Sequence, residues 1–166
     1  MKRSFIIALC CFTVLLASCN KEKPNEKFIG DYEGSGLING TMTVLNYNQE
    51  FNDIAIPMKI NLAAGDDKDK VILTYINEEL DETYTTTGTI TNNDVDFDPV
   101  EINTLIETYE VHATLDLAGT LTGTILTMSG AVTGGGTYTD GGLSLPYTIE
   151  GNLTGNLNKI VSIGQK

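Results

Sequence analysis

The chain has no tryptophan, one histidine (His112), one arginine (Arg3) and three cysteines. Each scarcity removes a class of function. Sugar-processing clefts and lectins usually stack their ligands on tryptophan, for which the seven tyrosines substitute only in part. A single histidine excludes histidine-rich metal sites and paired-histidine haem ligation. Arginine is the preferred fork for phosphate and carboxylate, and basic clusters drive nucleic-acid binding. The formal charge is −12, from 22 acidic and 10 basic residues. That balance argues against nucleic acid, nucleotides and anionic membrane surfaces as partners. The one long apolar run, residues 5–16, is too short for a transmembrane helix, which needs roughly 20 residues.

That run has a positive flank, Lys2 and Arg3, and ends in Leu16-Ala17-Ser18-Cys19. The layout is that of a secretory signal over residues 1–18; an uncleaved anchor or an ordinary signal cut after Ser18 are the alternatives. The four residues resemble the lipobox of bacterial lipoproteins: an aliphatic residue, two small ones, then the cysteine. The resemblance implies cleavage between Ser18 and Cys19, a diacylglyceryl thioether on Cys19 and an acylated amine, palmitate being typical. Two or three acyl chains anchor stably where one is marginal. It also implies an outer-membrane address, because Asn20 rather than Asp follows the cysteine; the periplasmic and cell-surface faces both remain open.

Cleavage would leave 148 residues, remove Cys10 and Cys11, and place the last thiol under lipid. No disulfide, thiol nucleophile or cysteine metal site would then remain. With Lys2 and Arg3 gone, the mature charge becomes −14 and no arginine is left. Residues 20–27 are polar, carry Pro24 and read as a tether. Eight residues span at most about 28 Å.

From Phe28 onward the chain reads as strands and turns, rich in threonine and β-branched residues. Asn39-Gly40, between residues 34–38 and 41–47, predicts a two-residue hairpin, since a type I′ turn needs positive φ at both positions. In residues 53–62, Ile54, Ile56, Met58, Ile60 and Leu62 alternate with polar or small residues. Residues 65–69 form a charged turn, and residues 71–76 an apolar strand. Strands 83–91 and 95–97 flank Asn92-Asn93. Residues 99–108 leave room for a short helical turn around Leu105. Five strands follow, 109–117, 121–128, 132–139, 143–149 and 152–160, divided by Gly119, Gly130, Asp140-Gly141-Gly142 and Gly151. Gly88, Gly123, Gly135 and Gly155 fall inside strands and mark bulges or bends. Pro57 and Pro146 interrupt alternating runs and imply edges or bulges. The expectation is a single all-β domain over residues 28–166. It is an antiparallel up-and-down meander closing into an eight-stranded barrel, with a β-sandwich as the alternative.

Phe28-Ile29-Gly30-Asp31-Tyr32-Glu33-Gly34 resembles the Gly-x-aromatic opening of the calycins and lipocalins, and is closer to the calycin-like domains of small bacterial lipoproteins. The resemblance implies that Tyr32 closes one end of the barrel. Tyrosine replaces the usual tryptophan, and the arginine that packs on it in lipocalins is absent. Thr139-Asp140 is similar to a second lipocalin motif, but Gly141-Gly142 follows it.

Candidate chemistry is sparse. His112 lies on the polar face of an alternating strand, which suits a surface residue better than a catalytic one. Ser35, in Gly34-Ser35-Gly36, lies within a strand and not at the strand-to-helix elbow of a hydrolase nucleophile. Asn92, Asp94, Asp96 and Asp98 resemble the start of a calcium loop, but Pro99 stands where the turn glycine belongs. Alternation explains them better: Val95 and Phe97 point inward and the aspartates face water. Asp66, Asp67 and Asp69 read as a solvated turn.

The functional expectation is a non-enzymatic, membrane-anchored binding module without metal or cofactor. A small apolar molecule or lipid would enter the barrel mouth, lined by Met58, Val71, Leu73, Tyr75, Leu115 and Tyr147; the competing reading is that this interior is filled core. The alternative function is a protein-interaction or inhibitor module for a basic protein such as lysozyme, as in barrel lipoproteins that block it. Cys19→Ser tests the anchor. The variant is expected to lose palmitate labelling and leave the membrane fraction, and a variant that stays labelled and sedimenting would refute the lipobox reading.

Overall fold

The computed structural model describes residues 23–77, 82–106, 109–140 and 142–160. The signal segment, Ser18, Cys19 and residues 20–22 lie outside them. Nine strands account for most of the chain, as its β-branched and threonine content favours. They are β1 (Gly30–Val44), β2 (Tyr47–Ala64), β3 (Lys70–Asn77), β4 (Glu82–Thr91), β5 (Asp94–Phe97), β6 (Val100–Ile106), β7 (Tyr109–Thr122), β8 (Ile125–Asp140) and β9 (Leu143–Lys159). All pairings are antiparallel, in the order β5-β4-β3-β2-β1-β9-β8-β7-β6, and β5 also pairs with β7. The sheet therefore closes on itself into a barrel-like ring and not a sandwich.

Hydrogen bonding divides the ring into nine strands where eight were expected. β5 and β6 follow one another along the same edge of β7: Asp96 pairs with Ala118, and Val100 with Leu115. The register slips by one residue at Asp98-Pro99. Counted as one broken stave, they make the ring eight-staved. Leu105 belongs to this ladder, opposite Glu110, so there is no helical turn around it.

The Asn39-Gly40 hairpin is not formed. β1 runs straight through it, and the chain reverses at Leu45-Asn46, with Leu45 at φ +57°. Asn39 instead caps a bulge in β2. Its Oδ1 accepts the Asp53 amide at 2.7 Å, where Ile38 pairs with Ile54 but Gly40 with Phe51. At Gly40 a side chain would meet the Glu150 carbonyl and come within 2.6 Å of the Phe51 ring. The glycine serves close approach and not a turn.

The same distinction corrects the C-terminal half, where three long strands replace five. Gly119, Gly130 and Gly151 lie inside β7, β8 and β9, each paired in a ladder. Gly123, expected inside a strand, sits at φ +62° in the β7–β8 turn with open space around it. Pro57 and Pro146 do mark edges. β2 meets β3 only from Ile60 to Ala64, and β1 reaches β9 only as far as Tyr147, so among the described residues each proline has a ladder neighbour on one side alone.

Inward-facing residues form one core around Phe28, Tyr32, Leu62, Val71, Val95, Leu126 and Leu157, each at most 1% exposed. Such burial leaves no water-sized space beside them. Glycines share the inner face with these side chains. A β-carbon on Gly136 would overlap the Glu110 carbonyl oxygen, and the Tyr147 ring covers the same spot, its hydroxyl donating to that carbonyl at 2.9 Å. Gly136→Ala is expected to cost about 3 kcal/mol. Gly142→Asn, at φ +84° in open space, is expected to cost under about 1 kcal/mol. Urea denaturation of both variants checks the contrast, and equal losses would refute the packing account.

Candidate functional site

The two ends of the ring differ. At one end the chain enters through a turn over Pro24–Phe28. Asn25 is buried there; its amide N donates to the Lys68 carbonyl at 3.2 Å, and its Nδ2 to the carbonyls of Asp67 and Lys70. Lys27 donates to Asn93 Oδ1 at 2.6 Å, tying the turn to the β4–β5 corner. The tether expected over residues 20–27 is thus folded onto the ring from Lys23. Tyr32 plugs this end, 1% exposed, with its hydroxyl donating to the Phe28 carbonyl at 2.8 Å. Lys159 Nζ lies 5.8 Å from the centre of the Tyr32 ring and donates to the Lys27 carbonyl. Tyr32 is structural, and burial pushes its phenol up to about 12.

The far end is open. Of the 18 residues of β2, five pair with β3; the other 13, Tyr47 to Lys59, have β1 as their ladder neighbour and none on the other side among the described residues. At that level the described ladders make a six-stranded sheet, β2-β1-β9-β8-β7-β6. Tyr47 is 74% exposed, Leu143 62% and Ile54 48%, while Phe51, Met42 and Val44 are half-buried. Apolar side chains that would normally face a core here meet solvent.

Charge is sorted along the same axis. The described lysines are Lys23, Lys27, Lys68, Lys70 and Lys159 at the closed end, and Lys59, 3.6 Å from Glu33, beside the first β2–β3 pairs. Beyond Lys59 the described residues hold no lysine or arginine, whereas Glu50, Asp53, Glu101, Glu110 and Glu150 are exposed.

Glu82 stands at the split between β4 and β6, where backbone pairing has ended. It accepts hydrogen bonds from the Tyr84 hydroxyl and, at 2.8 Å, from the Thr104 hydroxyl of β6. Tyr84 stacks on Tyr75, with centroids 6.3 Å apart. Burial first, then the Glu82 hydrogen bond and charge, push the Tyr84 phenol up to about 12. The sequence reading missed Glu82; its alternation with Tyr84 and Thr86 across the start of β4 was the available signal.

Among the expected lining residues, Met58, Val71 and Leu73 sit in the core cluster, 0–6% exposed, with Tyr75 and Leu115 packed against it. Tyr147 is buried separately, over Gly136 in the open half. Two described concavities, about 190 Å³ beside the leading turn and about 400 Å³ on the outer wall between Asp96 and Asp116, touch none of the six. His112 is exposed on the outer face of β7, its Nδ1 2.7 Å from Asn103 Oδ1 and Nε2 3.4 Å from Glu110. Ser35 is exposed within β1. Asp94, Asp96 and Asp98 face outward while Val95 and Phe97 are buried, as alternation predicts. No group of three or more histidine, cysteine, aspartate or glutamate residues is placed to hold a metal ion among the described residues. Compared with known families and curated proteins, the chain matches no family model and no curated sequence.

Alkaline titration followed by phenolate absorbance is expected to show Tyr32 and Tyr84 ionising late, near pH 12. Both values are raised above the ordinary 10.0, so the stability they contribute is whole below pH 10 and is lost as pH rises toward 12. Glu82→Gln is expected to lower the Tyr84 value while Tyr32 stays late. If the two tyrosines shift together, the Glu82–Tyr84 pairing is not the local cause.

Proposed function

We propose that the protein is a lipid-anchored, non-enzymatic interaction module of an outer membrane that presents its open end to a basic protein. The observation that carries this reading is the polarity of the ring. Its filled, lysine-bearing end receives the chain from the lipidation site, while its apolar end, without lysine among the described residues, lies opposite. From Cys19 to Lys23 the backbone spans at most about 14 Å, which holds the closed end at the membrane. An 18-residue strand such as β2 is about 60 Å long, so the open end stands well clear of the headgroups.

Two features support a calycin-like ancestry for the barrel. Its stave count is eight once β5 and β6 are joined. Lys159 also covers the Tyr32 ring, the place the resemblance gives to an arginine.

Complementary charge steers and selects partners, and carboxylates without neighbouring lysines leave their field unopposed. A second reading, a small apolar molecule or lipid at the mouth, is favoured by the half-buried Tyr75–Tyr84 stack and by Tyr147. The filled core around Met58, Val71 and Leu73 would confine such a ligand to that rim.

A lysozyme column separates the two. Purified protein is expected to be retained at about 0.1 M salt and released at about 1 M, as the screening length falls from about 10 to about 3 Å. A fluorescent fatty acid is expected to show no saturable uptake. Passage through the column unretained, together with stoichiometric fatty-acid binding, would reverse the assignment.

A further inference from the structure

Resting on the reading of the open end as an interaction surface, we propose that its binding site is the free edge of β2, which takes up a basic, extended peptide segment of the partner as an added antiparallel or parallel strand. Three observations converge on residues 47–56.

The first is backbone. Beyond Ile60 one side of β2 has no ladder among the described residues, and none of the turn or loop hydrogen bonds between described residues reaches it. An exposed strand edge carries unpaired N–H and C=O groups at every second residue, the template used whenever a peptide adds to a sheet. Pro57 ends the usable edge, because it has no N–H to donate.

The second is side-chain alternation. On one side of the edge Tyr47, Phe51 and, past the bulge, Ile54 belong to the half-open inner face. On the other, Glu50 and Asp53 face solvent. An incoming strand alternates its own side chains between the same two faces. It would lay apolar residues against Tyr47 and Ile54 and direct lysine or arginine toward Glu50 and Asp53.

The third is what the edge repels. Strand edges risk pairing with their own copies, and natural sheets blunt them with charge and bulges. Here both devices are present, carboxylates and the Asp53 bulge at φ +54°. They oppose a second copy of this acidic chain while attracting a cationic segment, so one set of charges gives both solubility and selectivity.

The probe is a soluble ten-residue peptide alternating lysine and valine, titrated into the purified full-length protein by fluorescence anisotropy, with backbone amide exchange read in parallel. Binding is expected to slow exchange within residues 47–56 and to weaken as salt rises. A glutamine–valine peptide is expected to bind at least tenfold more weakly. A lysine–valine peptide N-methylated at alternate residues keeps the charge but loses the outward donors, and is expected to lose at least tenfold. The E50K/D53K double variant, altered only at exposed positions, is expected to lose a similar factor. Equal binding by the N-methylated peptide overturns strand addition, and equal binding by the neutral peptide overturns the charge requirement. Protection of residues 47–56 in the protein alone, with a dimer in sedimentation, would make the occupant a second copy. If lysozyme is retained but residues 47–56 stay unprotected by the peptide, this site fails while the interaction reading stands. If neither binds, both fall.

Discussion

The ring exists because of four residues. β5 joins β4 through Thr91 to Gly88 and joins β7 through Thr120 to Ala118, and among the described residues no other ladder closes the sheet. The closure is tight because Val95 and Phe97 point inward, 0% and 5% exposed, onto two glycines. A side chain at Gly88 would lie 2.7 Å from both, and one at Gly119 would lie 3.2 Å from Val95. Remove this stave and the sheet becomes a long open one with two solvent edges. The same stave opens the far end. After Asp98, whose amide makes its bond to the Thr87 carbonyl at 2.8 Å, Pro99 offers no donor. β6 continues along β7 but leaves β4. One short strand therefore produces both a sealed half and a splayed half, and the functional proposals follow from that asymmetry.

Much of this architecture was legible from period-two alternation, which reports directly which face is buried. Residues 53–62, 71–76 and 94–98 behaved as their patterns required, and both prolines stood where the described ladders leave one side of the strand unpaired. What misled was glycine. In isolation, the sequence cannot distinguish a glycine needed for positive φ from one needed because a neighbouring strand lies against its α-carbon. Asn39-Gly40 has the composition of a turn and the function of a bulge cap beside the Phe51 ring. Leu45 has the composition of a strand and the φ of a turn. The polar end of the candidate site was hidden for a related reason. Glu82 and Thr104 lie 22 residues apart, and only ring closure brings them together.

The threonine content has a role beyond strand propensity. In the open half the carboxylates have no lysine beside them among the described residues, yet two are held by hydroxyls: Glu82 by Thr104 and Tyr84, Glu101 by Thr114 at 3.0 Å. Nearer the closed end Thr120 holds Asp94 at 2.7 Å in the same way. A hydroxyl donor orders a carboxylate and lowers its desolvation cost without cancelling its charge. A lysine in the same place would cancel the field and carry more rotamer entropy into the pair. Threonine–carboxylate pairing across adjacent strands therefore gives a surface that is locally rigid and still strongly negative. Over a screening length of about 8 Å at physiological salt, such a surface acts on an approaching partner before contact. The strands that carry it extend away from the end where Pro24–Phe28 leads into β1.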